Sequence, residues 1–142
     1  MQVKEIMTPD VEVARPDDTL ETAARMMADL DVGVLPVGEN DRLVGMITDR
    51  DITTRAVAEG TDVRMALVRD FCSSDPVVVG PNAALDEALQ LMARNSLRRL
   101  PVVEDTRLVG ILAQADVAVE TKAKETGELV EAISQAPDTE RR

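Results

Sequence analysis

The sequence predicts an α+β fold made of two pseudo-symmetric repeats, each ordered strand-helix-strand-strand-helix, packed about a pseudo-twofold axis. Three observations carry this. Residues 3 to 52 align without a gap on residues 68 to 117 at a constant offset of 65, and 17 of the 50 pairs are identical, a self-similarity that marks a duplicated supersecondary unit. Within each copy, short apolar runs bounded by turn residues alternate with apolar residues at helical spacing. The chain has 142 residues, enough for one compact unit or two small halves sharing a core and burying about two-thirds of the unfolded surface.

The elements follow in order. Val3 to Met7 is a short lead-in turn or helix, broken by Thr8-Pro9-Asp10 before a brief strand at Val11 to Ala14. After Pro16, Asp18 or Thr19 can cap a helix whose face is Leu20, Ala23, Ala24, Met27 and Leu30. Val32 to Val37 is an apolar strand in which Pro36 implies an edge or an irregular ladder. Gly38-Glu39-Asn40-Asp41 turns the chain into a strand ending at Thr48, and a helix follows Asp51 and stops near Gly60. The second copy predicts a helix near Ala84 to Asn95, strands near Arg99 to Val103 and Leu108 to Leu112, and a closing helix from about Asp116. The expected divisions are a first repeat over 1–60, a linker over 61–67, a second repeat over 68–122, and a helical extension with a frayed tail over 123–142.

Composition excludes several functions. The formal charge of -11 argues against nucleic acid, whose binders present a basic face, and against an acidic membrane surface. With no histidine, imidazole metal sites and Ser-His or Cys-His catalysis have no residue to act. The single cysteine, Cys72, cannot form an internal disulfide and reads as a small buried apolar residue beside Phe71, the one aromatic. No apolar run approaches the ~20 residues of a membrane span. The opening MQVKEIMTPD lacks a basic start and apolar core, so a cytoplasmic location is expected.

The stretch Gly45 to Asp51, GMITDRD, is the richest in chemistry. It places the Thr48 hydroxyl and the Asp51 carboxylate three residues apart on a strand-to-helix corner. A carboxylate can accept from two neighbouring ribose hydroxyls while the free N–H groups of the helix start face an anion. The same pair is also close to a capping box, a local helix signal that needs no ligand. Two adjacent arginines, Arg98 and Arg99, ahead of the second Leu-Pro-Val point in opposite directions along a strand, so at least one guanidinium faces any cleft at that edge. Pairing of both with surface carboxylates is the alternative.

Tandem units carrying Leu35-Pro36-Val37, then Arg42-Leu43-Val44-Gly45, then a Gly-x-x-Thr-x-x-Asp corner resemble the cystathionine-β-synthase (CBS) domain family in its paired arrangement, over residues 1 to 120. The resemblance implies a ligand-sensing module that binds AMP, ADP, ATP, S-adenosylmethionine or NAD in a cleft between repeats. It makes Thr48 and Asp51 the ribose candidates. Val34, Leu35 and Pro36, with Thr8, Pro9, Asp10 and Val11 alongside, become the base candidates, and Arg98, Arg99 and the less central Arg50 the phosphate candidates. In the second repeat Ala113 replaces the hydroxyl while Asp116 keeps the carboxylate, so a second and weaker site is expected there.

The expected function is thus a stand-alone regulatory module with an adenine nucleotide as effector, no catalytic cofactor and no chemistry of its own. It is expected to be a homodimer and to signal to a partner protein whose identity the sequence does not name. The alternative is a protein-interaction scaffold that binds no nucleotide.

Overall fold

The computed structural model describes residues 1–120; the extension and tail expected over 123–142 lie outside them. The elements are β1 (Thr8–Pro9), α1 (Leu20–Leu30), β2 (Val34–Glu39), β3 (Arg42–Thr48), a π-helix (Asp51–Val57), α2 (Leu85–Asn95), β4 (Arg99–Glu104) and β5 (Arg107–Ala113), with residues 114–120 helical. The chain divides into two compact units. The first holds Asp10–Val77 and Val103–Leu108; the second holds Met1–Pro9, Val78–Val102 and the described residues from Val109 on.

The first unit is built on the β2–β3 hairpin, registered Val34 to Thr48 and Glu39 to Arg42, with a bulge between Val37 and Gly38. Asn40 and Asp41 form its two-residue turn, with φ of 53° and 66°. That is the left-handed pairing a tight hairpin requires, and Asn and Asp tolerate it well. Thr19 caps α1, its Oγ1 accepting from the Thr22 amide at 3.1 Å, while Asp18 accepts instead from the Arg15 amide at 2.8 Å. Leu20, Ala23 and Met27 bury with Leu35, Val37, Ile47, Ile52 and Ala56 in one core cluster. Ala24 and Leu30, expected on that face, are exposed.

Two expected elements take other forms. No strand runs over Val11 to Ala14: Ala14 makes a single parallel bridge to Val37, its N–H donating to the Pro36 carbonyl and its carbonyl accepting from Gly38, each at 2.9 Å. A parallel ladder would next need an N–H from residue 36, and proline has none. The helix after Asp51 winds as a π-helix, with Ala58 N–H donating to Thr53 and Thr61 N–H to Ala56, each at 2.9 Å. Thr54 Oγ1 donates back to the Arg50 carbonyl at 2.7 Å, a bond that competes with the regular helical pattern.

The opening segment of each copy lies in the unit that holds the body of the other. Val3 and Lys4 donate to Ala83 and Pro81 at 3.0 and 2.9 Å in the second unit, and their counterparts Val68 and Arg69 donate to Asp18 and Pro16 at 2.8 and 3.0 Å in the first. The periodic unit starting at Val3 and the compact unit starting at Asp10 therefore differ. Residues 61–67 are bonded to the start of α1: Leu20 N–H donates to Ala66 and Glu21 N–H to Val63, each at 3.0 Å. Among the described residues no buried side-chain polar atom lacks a partner, and no helix is long and apolar enough to cross a membrane.

Candidate functional site

β3 delivers Thr48 to the corner, and the first helical turn brings Asp51 back to it. The Asp51 N–H donates to Thr48 Oγ1 and the Thr48 N–H donates to Asp51 Oδ2, both at 3.0 Å. This is the reciprocal bonding of a capping box, so the local alternative read from the sequence is present. It does not exhaust either side chain. The Thr48 hydroxyl still has its proton to donate, and a carboxylate has about four acceptor positions, of which the Thr48 amide uses one. Both residues are half-buried, a setting in which a bound hydroxyl would compete with less water than at the open surface.

Asp51 Oδ1 faces Arg55 Nη1 at 3.8 Å. Arg55 in turn donates from Nη1 to the Phe71 carbonyl at 2.7 Å and lies 5.5 Å from the centroid of the Phe71 ring. The segment after Phe71 runs along β3: Ser73 N–H donates to the Met46 carbonyl at 2.8 Å, Met46 N–H donates to Ser73 at 3.3 Å, and Ser73 Oγ donates to the Met46 carbonyl at 3.2 Å. Gly45 makes this approach possible, because the Ser73 carbonyl oxygen occupies the place a Cβ would take. Cys72 is half-buried rather than buried, and burial raises its thiol above the ordinary value.

The other sequence-predicted residues divide between the units. Val34 pairs with Thr48 across the hairpin and is half-buried. Leu35 is 2% exposed and belongs to the core, and Pro36 is buried with its carbonyl taken by Ala14. Arg50 is exposed. Asp10, exposed with φ of 54°, and Val11 lie in the same unit as the corner. Val11 lines a groove of about 430 Å³ with Val13, Arg15 and the hairpin turn, at the far end of the hairpin from Thr48. Thr8 and Pro9 are in the second unit, paired with Ile111 and Gly110 of β5. Arg98 is exposed, its carbonyl accepting from Gln114 at 2.8 Å, and Arg99 is half-buried at the start of β4. Asp116 is exposed and, with alanine at 113, has no hydroxyl at the matching position.

The sequence reading missed Arg55 and Ser73. Arg55 follows Asp51 by four residues, the spacing of helical ion pairs. Ser73 is the repeat counterpart of Thr8, so the offset of 65 could have identified the segment beside the first corner.

A model of the CBS domain matches residues 3–58 and 68–121. CBS domain-containing protein YhcV of Bacillus subtilis (strain 168) is 42% identical over 124 residues, spanning 87% of this chain and 88% of that protein. Hypoxic response protein 1 of Mycobacterium tuberculosis (strain ATCC 25618 / H37Rv) is 39% identical over 116 residues, 81% of each chain. A crystal structure of Hypoxic Response Protein I with two coordinated zinc ions superposes with a TM-score of 0.78 at 38% identity, over 84% of this chain and 98% of that one. The crystal structure of CBSX2 in complex with AMP gives 0.77 at 28% identity, over 87% and 98%. Among the described residues of this chain, no three His, Cys, Asp or Glu side chains gather as a zinc ion would require.

Proposed function

The chain belongs to the CBS domain family, and we propose that it is a regulatory module that binds an adenosine-containing ligand at the Thr48–Asp51 corner and signals its occupancy to a partner protein. The observation that carries this reading is the unused capacity of the corner. After the reciprocal bonds are made, one hydroxyl proton and most of a carboxylate are left on two half-buried side chains, which suits a pair of ribose hydroxyls. AMP in the solved structure of CBSX2 supports the ligand class. Arg98, Arg99 and Arg50 remain the candidates for phosphate and Val34 for the base. The module itself performs no chemistry in this reading.

The test is a calorimetric and thermal-shift screen of the purified chain against AMP, ADP, ATP, S-adenosylmethionine and NAD, with Asp51→Ala alongside. A ligand that binds only the folded state, at roughly a hundred times its Kd, adds about 2.7 kcal/mol of stability. A ligand-specific shift that disappears in Asp51→Ala is expected. The reciprocal bonds also favour a second reading, a scaffold in which the corner is only a cap; silence towards the whole panel would select it. We further propose that the module works as a homodimer, because Leu30, Val57 and Met65 leave apolar side chains exposed in the first unit, Met65 by 75%. Sedimentation equilibrium at micromolar concentration should give twice the chain mass, and a monomer there would refute the dimer.

A further inference from the structure

We propose that Arg55 is the positioning residue of this site: it holds Asp51 for the ligand and ties its occupancy to the Phe71–Ser73 segment. The inference rests on the binding reading above. The contact of Arg55 Nη1 with Asp51 Oδ1 is 3.8 Å, an ion-pair distance too long for a hydrogen bond, so it orients the carboxylate without consuming the lone pairs that ribose hydroxyls would use. With the Arg55 side chain 52% exposed, such a pair alone is weak. What sets Arg55 apart is its other side. The 2.7 Å bond to the Phe71 carbonyl and the ring beneath the guanidinium fix it in place, and a planar guanidinium can keep both contacts at once, which a lysine ammonium on a flexible stem cannot do as well.

These contacts close a circuit. From Thr48 the chain passes through Asp51 to Arg55, across to Phe71, along to Ser73, and by the paired backbone bonds of Ser73 and Met46 back into β3, two residues before Thr48. A ligand that pulls on Asp51 Oδ1 therefore acts on the guanidinium, and through it on Phe71–Ser73. The same segment leads the chain to Val78, where the second unit resumes. A change felt at the first repeat's corner thus has a bonded route to the opening segment of the second repeat, through which the chain passes into the second compact unit, and a signalling module needs differential contacts of this kind to bias one arrangement over another.

The test uses the full chain as wild type, Arg55→Ala and Arg55→Lys, titrated by calorimetry with AMP, ATP, NAD and S-adenosylmethionine, followed by amide hydrogen exchange with whichever of them binds. Arg55→Ala should bind about five- to tenfold more weakly, and Arg55→Lys should fall between it and wild type. Ligand should slow exchange around residues 71–73 in the wild type and leave it unchanged in Arg55→Ala. A purely structural arginine would lower the melting temperature but leave that ligand-induced footprint intact, which would overturn the proposal. Wild-type affinity and footprint in Arg55→Ala would overturn it too, with the binding reading left standing. Failure of the wild type to bind any of the four, or ADP, would overturn both.

Discussion

Thr48 serves the fold and the proposed site with the same oxygen, and a single substitution can separate the two roles. Its Oγ1 accepts from the Asp51 amide at 3.0 Å, and losing such a cap costs about 1 kcal/mol. Thr48→Val keeps the shape and removes the hydroxyl; Thr48→Ser keeps the hydroxyl and removes the methyl. Urea denaturation should show Thr48→Val destabilised by about 1 kcal/mol and Thr48→Ser within a few tenths of wild type. Calorimetry with the ligand found in the screen should rank affinity in the same order, with the valine variant weakest. A valine variant that loses stability but binds as tightly as wild type would confine Thr48 to capping. At this scale the Thr48–Asp51 pair was fully legible in the sequence, because its spacing is local. The burial of Leu35 was not: Leu-Pro-Val fits a ligand-facing strand edge and a core strand equally well, and only packing against Leu20, Met27 and Ile47 decides between them.

At the scale of elements, local chemistry was legible where it is settled by neighbours in sequence. The two-residue turn Asn40-Asp41, the Thr19 cap and the two helices α1 and α2 follow from residue preferences within a few positions. The repeat offers an internal control, since the second hairpin turn places Asp105 and Thr106 at φ of 55° and 90°. A β-branched residue is strained in that region, so the hairpin imposes the turn on a residue that local preference would not choose. What sequence could not reveal was decided by distant partners. Pro36 lacks the donor that would have extended Ala14 into a strand. The π-winding after Asp51 depends on where Thr54 sends its hydroxyl and where Ala58 and Thr61 find carbonyls. The close approach at Gly45 needs the Ser73 carbonyl, 28 positions later, and the same approach recurs in the second unit, where the Thr8 carbonyl oxygen would lie 2.9 Å from a Cβ on Gly110. The equivalence of these two contacts under the offset of 65 shows that the duplicated sequence encodes duplicated backbone geometry, down to where each opening segment docks.

At the scale of the whole chain, that equivalence of backbone makes the chemical differences between the repeats the deciding factor. The first corner has Thr48 and Asp51 joined by two hydrogen bonds, with Asp51 half-buried and Arg55 beside it. The second has Ala113 in place of the hydroxyl, an exposed Asp116, and Glu120 at the position matching Arg55. A carboxylate there would repel Asp116 instead of orienting it. An exposed carboxylate with no hydroxyl or arginine at the matching positions holds a hydroxyl weakly because water competes for it on equal terms. Two corners on one backbone plan should therefore differ in affinity, and the chain should take up one equivalent of ligand before any second site fills. Calorimetry of the wild type is expected to give a stoichiometry near one per chain. Asp51→Ala should remove that isotherm, while Asp116→Ala should leave it within about twofold, since substitutions at sites without shared partners act independently. A larger loss of affinity in Asp116→Ala than in Asp51→Ala would place the working site in the second repeat. In that event the hydroxyl and the arginine that distinguish the first corner would have to serve the fold alone.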